Sequence, residues 1–215
     1  MQLDLRSNEG IEAALTGVTG VIHAATAPMG ATASVDVEGT ERLLDAAHGA
    51  GVSRVVYPSI VGVTQIPLSY YEHKRTAETV VAESPVSSVI VRSTQFYSFL
   101  GTLFESLSKL SVWPIPSRVS LQPIAAATLA DTIGGLATDN SCDRTVTVGG
   151  PTISTISELA ATFKDHRGLR RPIIPVPALG ATLRGFRAGH ATCPDHAAGT
   201  VTWKHWLNNQ YPEDE

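Results

Sequence analysis

The sequence predicts an α/β protein built on a parallel, doubly wound sheet. Three observations carry that expectation: short apolar, β-branched runs recur along the chain, segments of helical pattern stand between them, and the connections are brief. With 215 residues, 43% of them hydrophobic and 17% charged, the chain can bury a sizeable core and does not read as disordered. A net charge of −4 gives no electrostatic case for nucleic acid or an anionic membrane. No run reaches membrane-spanning length without polar interruption, and the first residues lack the basic and apolar regions of a signal peptide. Two cysteines, Cys142 and Cys193, do not make a disulfide framework. A cytoplasmic protein is the expectation.

Taken in order, Leu3-Asp4-Leu5 reads as the end of a strand, followed by a helix over Glu9 to Leu15 that Gly17 stops. Val18 to Ala25 is a buried-strand candidate. The run Thr16-Gly17-Val18-Thr19-Gly20 has the outline of a dinucleotide glycine loop, but a helix precedes it and a strand follows. A phosphate-binding loop needs the opposite order, because the helix N-terminus holds the pyrophosphate. No G-x-G-x-x-G occurs elsewhere. A helix is expected over Asp36 to Ala50, a strand over Val52 to Tyr57, and a further strand over Val86 to Arg92. Beyond it come a helix through Leu110, a proline-punctuated loop at Trp113 to Pro116 and a short strand near Leu121 to Ile124. A helix over Ala126 to Ala137 and a strand over Thr145 to Val148 follow. Thr155-Ile156-Ser157-Glu158 is a capping box that opens a helix to about His166. Arg171 to Val176 reads as an edge segment, since its prolines would break a central ladder. Trp203 and Trp206, three residues apart near the end, are expected to pack one apolar face onto the body of the protein.

The chemistry concentrates at Ser69-Tyr70-Tyr71-Glu72-His73-Lys74. Serine three residues before glutamate predicts a capping box and a helix start at Ser69. Tyr70 and Lys74 then share one helix face, four residues apart. A nearby ammonium favours the ionised phenol, so the pair can act in proton transfer. Ser59 stands at the end of the preceding strand.

These residues carry a family resemblance. Asp36-Val37-Glu38-Gly39-Thr40, Leu43-Leu44-Asp45-Ala46-Ala47, Val55-Val56-Tyr57-Pro58-Ser59 and Tyr70-x-x-x-Lys74 resemble the extended and atypical short-chain dehydrogenase/reductase family. Arg92 to Phe96, Gly149-Gly150-Pro151 and Trp203-x-x-Trp206-Leu207 resemble its NmrA-like branch. The resemblance implies a Rossmann-like doubly wound sheet, N-terminally truncated, with a small mixed α/β substrate lobe. It implies a single domain over 1–215, with 1–97 as the remnant of the dinucleotide-binding core and 98–215 mostly the C-terminal lobe. It implies NADP or NAD as cofactor, Tyr70, Lys74 and Ser59 as catalytic residues, and Asp4 and Leu5 on the adenine and ribose side. Ala24, Ala25 and Thr26 would lie along the cofactor, Lys74 would hold the nicotinamide ribose, and Ser93, Thr94, Gln95 and Phe96 would flank the nicotinamide. Three departures stand out. The family's opening strand, glycine loop, helix and second strand have no counterpart here, and Met1 corresponds to a point near the end of the third strand. The usual serine pair reads Ser59-Ile60, and the catalytic serine more often aligns with the second position. Asp36 replaces the asparagine that extended members often carry.

Two functions follow from the resemblance. One is hydride transfer between a nicotinamide cofactor and a small carbonyl or quinone-like substrate; the other is a non-catalytic redox sensor or regulator on the same fold. The uncovered sheet edge implies a homodimer, a marginally stable chain, or a truncated version of a longer natural product. His190-x-x-Cys193-x-x-His196, with Asp195 and His205 nearby, has metal-ligand residue types, but Gly189, Pro194 and Gly199 mark a surface loop, and no metal is expected. His23 is expected to be a satisfied core or pocket-wall histidine, and Lys164, Arg167, Arg170 and Arg171 a solvated helix end.

Overall fold

The computed structural model describes residues 3–28, 33–139 and 144–212. In chain order the elements are α1 (Ile11–Leu15), β1 (Gly20–Ile22), α2 (Glu38–Gly49), β2 (Arg54–Ile60), α3 (Ser69–Glu83), β3 (Ser88–Ser93) and α4 (Tyr97–Ser108). There follow β4 (Trp113–Pro116), β5 (Ser120–Leu121), α5 (Ala126–Thr138), β6 (Thr145–Val148), β7 (Ser154–Thr155), α6 (Ile156–His166), β8 (Ile173–Val176), α7 (Ala181–Arg187) and α8 (Trp203–Gln210). The main sheet has the order β1-β2-β3-β6. β1 runs parallel to β2 with Gly20 opposite Arg54 and Ile22 opposite Val56. Strands separated by helices in sequence but adjacent in the sheet are the expected doubly wound architecture.

The chain divides into two compact units, Met1–Arg92 with Ala130–Val146, and Ser93–Leu129 with Thr147–Glu215. The first unit owes its core to β2. Val55, Val56 and Tyr57 are fully buried. Val55 and Tyr57 join Leu43, Leu44 and Ala47 of α2 and Ala77 and Val81 of α3 in one apolar cluster. Burial of both strand faces is what a parallel sheet covered by helices requires. Gly39, at the start of α2, is needed for close approach, because a Cβ there would stand 2.9 Å from that of Leu5. Leu5 does not end a strand. Asp4 forms an isolated antiparallel bridge with Glu9, so the predicted strand at Leu3 to Leu5 is replaced by a turn over the core.

The second unit is held by aromatic packing. Phe104 of α4 stacks on Trp113 at 6.0 Å, and Trp203 stacks on Trp206 at 5.3 Å and on Phe163 at 6.4 Å. The tail tryptophans therefore pack as the sequence implies. Trp113 to Pro116 is a strand rather than a loop. It pairs in parallel with β8, and this two-stranded sheet has only edges, where a proline's missing N–H is tolerated. The capping box at Thr155 is formed: Thr155 N–H donates to Glu158 Oε2 at 2.7 Å and Glu158 N–H donates to Thr155 Oγ1 at 3.2 Å. The box at Ser69 is not. Leu68 is the N-cap and Ser69 the first helical residue, so Glu72 falls one position too late and its N–H bonds the Leu68 carbonyl within the helix.

Candidate functional site

Four side chains of the first unit converge at the carboxyl ends of its strands. Asp36 enters from a π-helical turn, Ala33–Val37, that leads into α2, and is fully buried. Such wide turns commonly mark functional positions. Its Oδ1 accepts the Thr26 hydroxyl at 2.6 Å, and its Oδ2 accepts the Ala27 N–H at 2.9 Å. Thr26 Oγ1 also lies 2.8 Å from the Tyr70 oxygen. Lys74, 4% exposed, donates to the Pro58 carbonyl at 2.9 Å and stands 3.8 Å from Asp36 Oδ1. Its Nζ is 4.0 Å from the centroid of the Tyr57 ring, a cation–π contact. One turn along α3, Glu78 pairs with Arg92 through both carboxylate oxygens.

Burial sets the electrostatics. Desolvation pulls the Lys74 ammonium down to about 8, although Asp36 and Glu78 both act to keep it charged. Burial also pushes the Tyr70 phenol up from its usual value. Asp36 adds to that rise. Spacing alone suggests an ammonium favouring the phenolate; in the fold, burial and a carboxylate favour the phenol. Burial followed by the Lys74 charge holds His23 down to about 4. Thr40 gives its only hydroxyl hydrogen to the Asp36 carbonyl at 2.7 Å, so the 2.9 Å contact to His23 is closed by a proton on His23 Nε2. His23 is thus a satisfied interior histidine.

Ser59 is 3% exposed and lies on the strand face of Val55 and Tyr57, the face that Lys74 covers. Ile60, one residue on, faces the other way. Ala24, Ala25 and Thr26 are exposed beyond β1. Asp4 is bound to Arg6 by side chain and backbone, which lowers its pKa, while Leu5 is buried in the core and gives its carbonyl to Arg42. Ser93 to Phe96 belong to the second unit. There Thr94 donates to the Gln122 carbonyl, Phe96 bridges to Ile124, and both amide atoms of Gln95 are buried with no hydrogen-bond partner among the described residues. The role of Asp36 is not written in any short motif; its only signal is the position where the family more often has asparagine.

The remaining candidates have structural places. Cys193 is buried, its N–H donates to Gln122 Oε1 at 2.6 Å, and burial pushes its thiol up to about 11. Among the described residues no group of three or more His, Cys, Asp or Glu is placed to hold a metal ion. Cys142 lies outside the described residues. Arg167 ends α6, pairs with Glu105 at 3.2 Å and covers the Tyr211 ring.

A sequence profile of a family described as NAD(P)H-binding matches residues 1–131. The chain belongs to the NAD(P)H-binding family. Among curated proteins no sequence match reaches significance. Solved structures of the same fold include the NADPH-dependent quinone oxidoreductase QOR2 of Escherichia coli complexed with NADPH. It is 16% identical over 98% of this chain and 82% of that one, with a TM-score of 0.77. The Bordetella bronchiseptica enzyme WbmG in complex with NAD and UDP is 14% identical over 98% of this chain and 80% of that one, TM-score 0.76. A nucleoside-diphosphate-sugar epimerase of Staphylococcus aureus is 16% identical over 96% and 82%, TM-score 0.74. The chain is therefore placed in an NAD(P)H-binding family, and these solved structures share its fold.

The residues present fit the nicotinamide end of such a cofactor. A buried ammonium, a phenol hydroxyl and a serine hydroxyl gather at the carboxyl ends of parallel strands, beside the small exposed residues Ala24 and Ala25. That is where ligands of open α/β sheets bind.

Proposed function

We propose that this chain is an NAD(P)H-dependent oxidoreductase acting on a small carbonyl or quinone-like substrate, with Tyr70 as its proton donor. The observation that carries this reading is the hydrogen-bonded array of Tyr70, Thr26, Asp36 and Lys74 in an NAD(P)H-binding family member. The cofactor, when bound, supplies the hydride. Lys74 would hold the ribose hydroxyls beside it, and Ala24 to Thr26 would line the nicotinamide. Ser59 would orient the substrate oxygen, to which the Tyr70 O–H gives its proton as negative charge grows there. Asp4 and Leu5 would stand on the adenine and ribose side of the cofactor. Support for a quinone-like substrate comes from the Escherichia coli protein of the same fold, which is an NADPH-dependent quinone oxidoreductase.

The test is oxidation of NADPH and of NADH, followed at 340 nm, against a panel of quinones and carbonyls. Turnover with at least one acceptor, lost in Lys74→Ala, is expected; absence of turnover with every pair contradicts the reading. The second reading is a non-catalytic redox sensor or regulator on the same fold. Cofactor binding without turnover would select it.

The free edge of the main sheet is the proposed site of homodimer formation. β1 pairs only with β2 among the described residues, and its Ile22 is 50% exposed. Sedimentation velocity showing one monomeric species at all concentrations would exclude the dimer. The cytoplasm is the proposed location; among the described residues no helix is long and apolar enough to cross a membrane.

A further inference from the structure

Asp36 has no assigned role, yet it is fully buried and both its oxygens are engaged. Thr26 carries one hydroxyl hydrogen, and a carboxylate oxygen can only accept, so that hydrogen goes to Asp36. The 2.8 Å contact between Thr26 Oγ1 and the Tyr70 oxygen must then be closed by the hydrogen of the phenol. The direction of donation is fixed along the whole array: Tyr70 to Thr26, Thr26 to Asp36.

We infer that Asp36 is a positioning residue which, acting through the Thr26 hydroxyl, keeps Tyr70 in its proton-carrying form. This rests on the reading of Tyr70 as proton donor. A phenolate at Tyr70 could be satisfied by Thr26 only if the hydroxyl turned away from Asp36, leaving a buried carboxylate short of one donor. The array therefore penalises the phenolate and favours the phenol. In the donor step the Tyr70 O–H bond breaks and the substrate oxygen gains the proton. The phenolate left behind takes a proton from solvent, to which Thr26 is exposed.

The charged and titratable groups packed around the array are His23 after β1, Tyr57 on β2, and Lys74 and Glu78 on α3. Lys74 sits on the Asp36 side of the array, and burial and the Asp36 carboxylate both favour the Tyr70 phenol. An aspartate suits this geometry better than an amide. Its two oxygens accept from Thr26 and from Ala27 N–H at once, whereas an asparagine would set its own N–H₂ against one of those donors.

The experiment is a pH titration of the free protein labelled with [13Cζ]tyrosine, the Tyr70 resonance being assigned by its loss in Tyr70→Phe. Thr26→Val removes the acceptor of the phenol hydrogen, and the Tyr70 transition is expected to move to lower pH. Thr26→Ser, which restores the hydroxyl, is expected to return it to the wild-type position. Asp36→Asn is expected to move it to lower pH as well. An unchanged or higher transition in Thr26→Val would mean that Thr26 donates to the phenol or plays no part, and would overturn the inference. So would an unmoved transition in a folded Asp36→Asn. If Asp36→Asn does not fold, the Val and Ser pair at the exposed Thr26 still decides. The titration needs neither cofactor nor turnover, so its outcome is separable from that of the activity assay.

Discussion

His23 is the residue on which acid stability should turn. It is 3% exposed and held neutral down to about pH 4, while an unfolded chain's histidine protonates near 6.5. Above pH 6.5 neither state binds the proton and His23 costs nothing. As the pH falls from 6.5 towards 4, only the unfolded state gains it, so the folded state loses up to roughly 3 kcal/mol over that window. Urea denaturation at several pH values should show that loss, and His23→Gln should flatten it; an equal slope in the variant would exclude His23 as its source. Tyr57 offers a second residue-scale test. Its hydroxyl is buried without a hydrogen-bond partner among the described residues, and burial holds the phenol far above its usual pKa. Tyr57→Phe keeps the ring that covers Lys74 and removes an unsatisfied polar atom. It should be neutral or stabilising by about 1 kcal/mol in chemical denaturation. A clear destabilisation would mean that the hydroxyl has a partner. The sequence makes Tyr70 and Lys74 legible because four-residue spacing on a helix is a local property. It leaves Asp36 illegible as a partner, because its bonds to Thr26 and Ala27 close a loop that no periodicity describes.

Helix starts show which local rules survive folding. Thr155 and Glu158 meet their capping expectation in every bond, and Thr155→Ala should cost about 1 kcal/mol in thermal or chemical denaturation. A variant as stable as wild type would show that the packing of α6, not its cap, fixes that helix. At Ser69 the same four-residue pattern fails, because α3 takes Leu68 as its N-cap and the serine becomes helical. Both motifs look alike in sequence, and only the position of the flanking chain separates them. β4 makes the converse point. Two prolines in Trp113 to Pro116 mark a loop by composition, but a two-stranded sheet offers edges on which prolines fit. Alternating helices and strands through β3 are readable because burial on both strand faces leaves unbroken apolar runs. The partners of β4, β5 and β6 come from distant parts of the chain, and nothing local announces them.

At the scale of the molecule, family membership and fold are secure, and the proposed chemistry rests on one array of side chains in the first unit. The glycines at 149 and 150 illustrate how far the second unit depends on close backbone approach. A Cβ at Gly150 would come within 1.7 Å of the Pro123 carbonyl oxygen. That contact ties the strand end after β6 to the segment before α5, and two adjacent glycines are its only trace in the sequence. The proposed function is tested at Tyr70. The most direct measurement is the rate of NADPH or NADH oxidation with the best acceptor, in wild type and in Tyr70→Phe, with cofactor affinity measured on both by calorimetry. Loss of a general acid should lower kcat by at least about 100-fold while leaving cofactor affinity within a few-fold of wild type. Equal turnover in the two proteins would contradict Tyr70 as the proton donor.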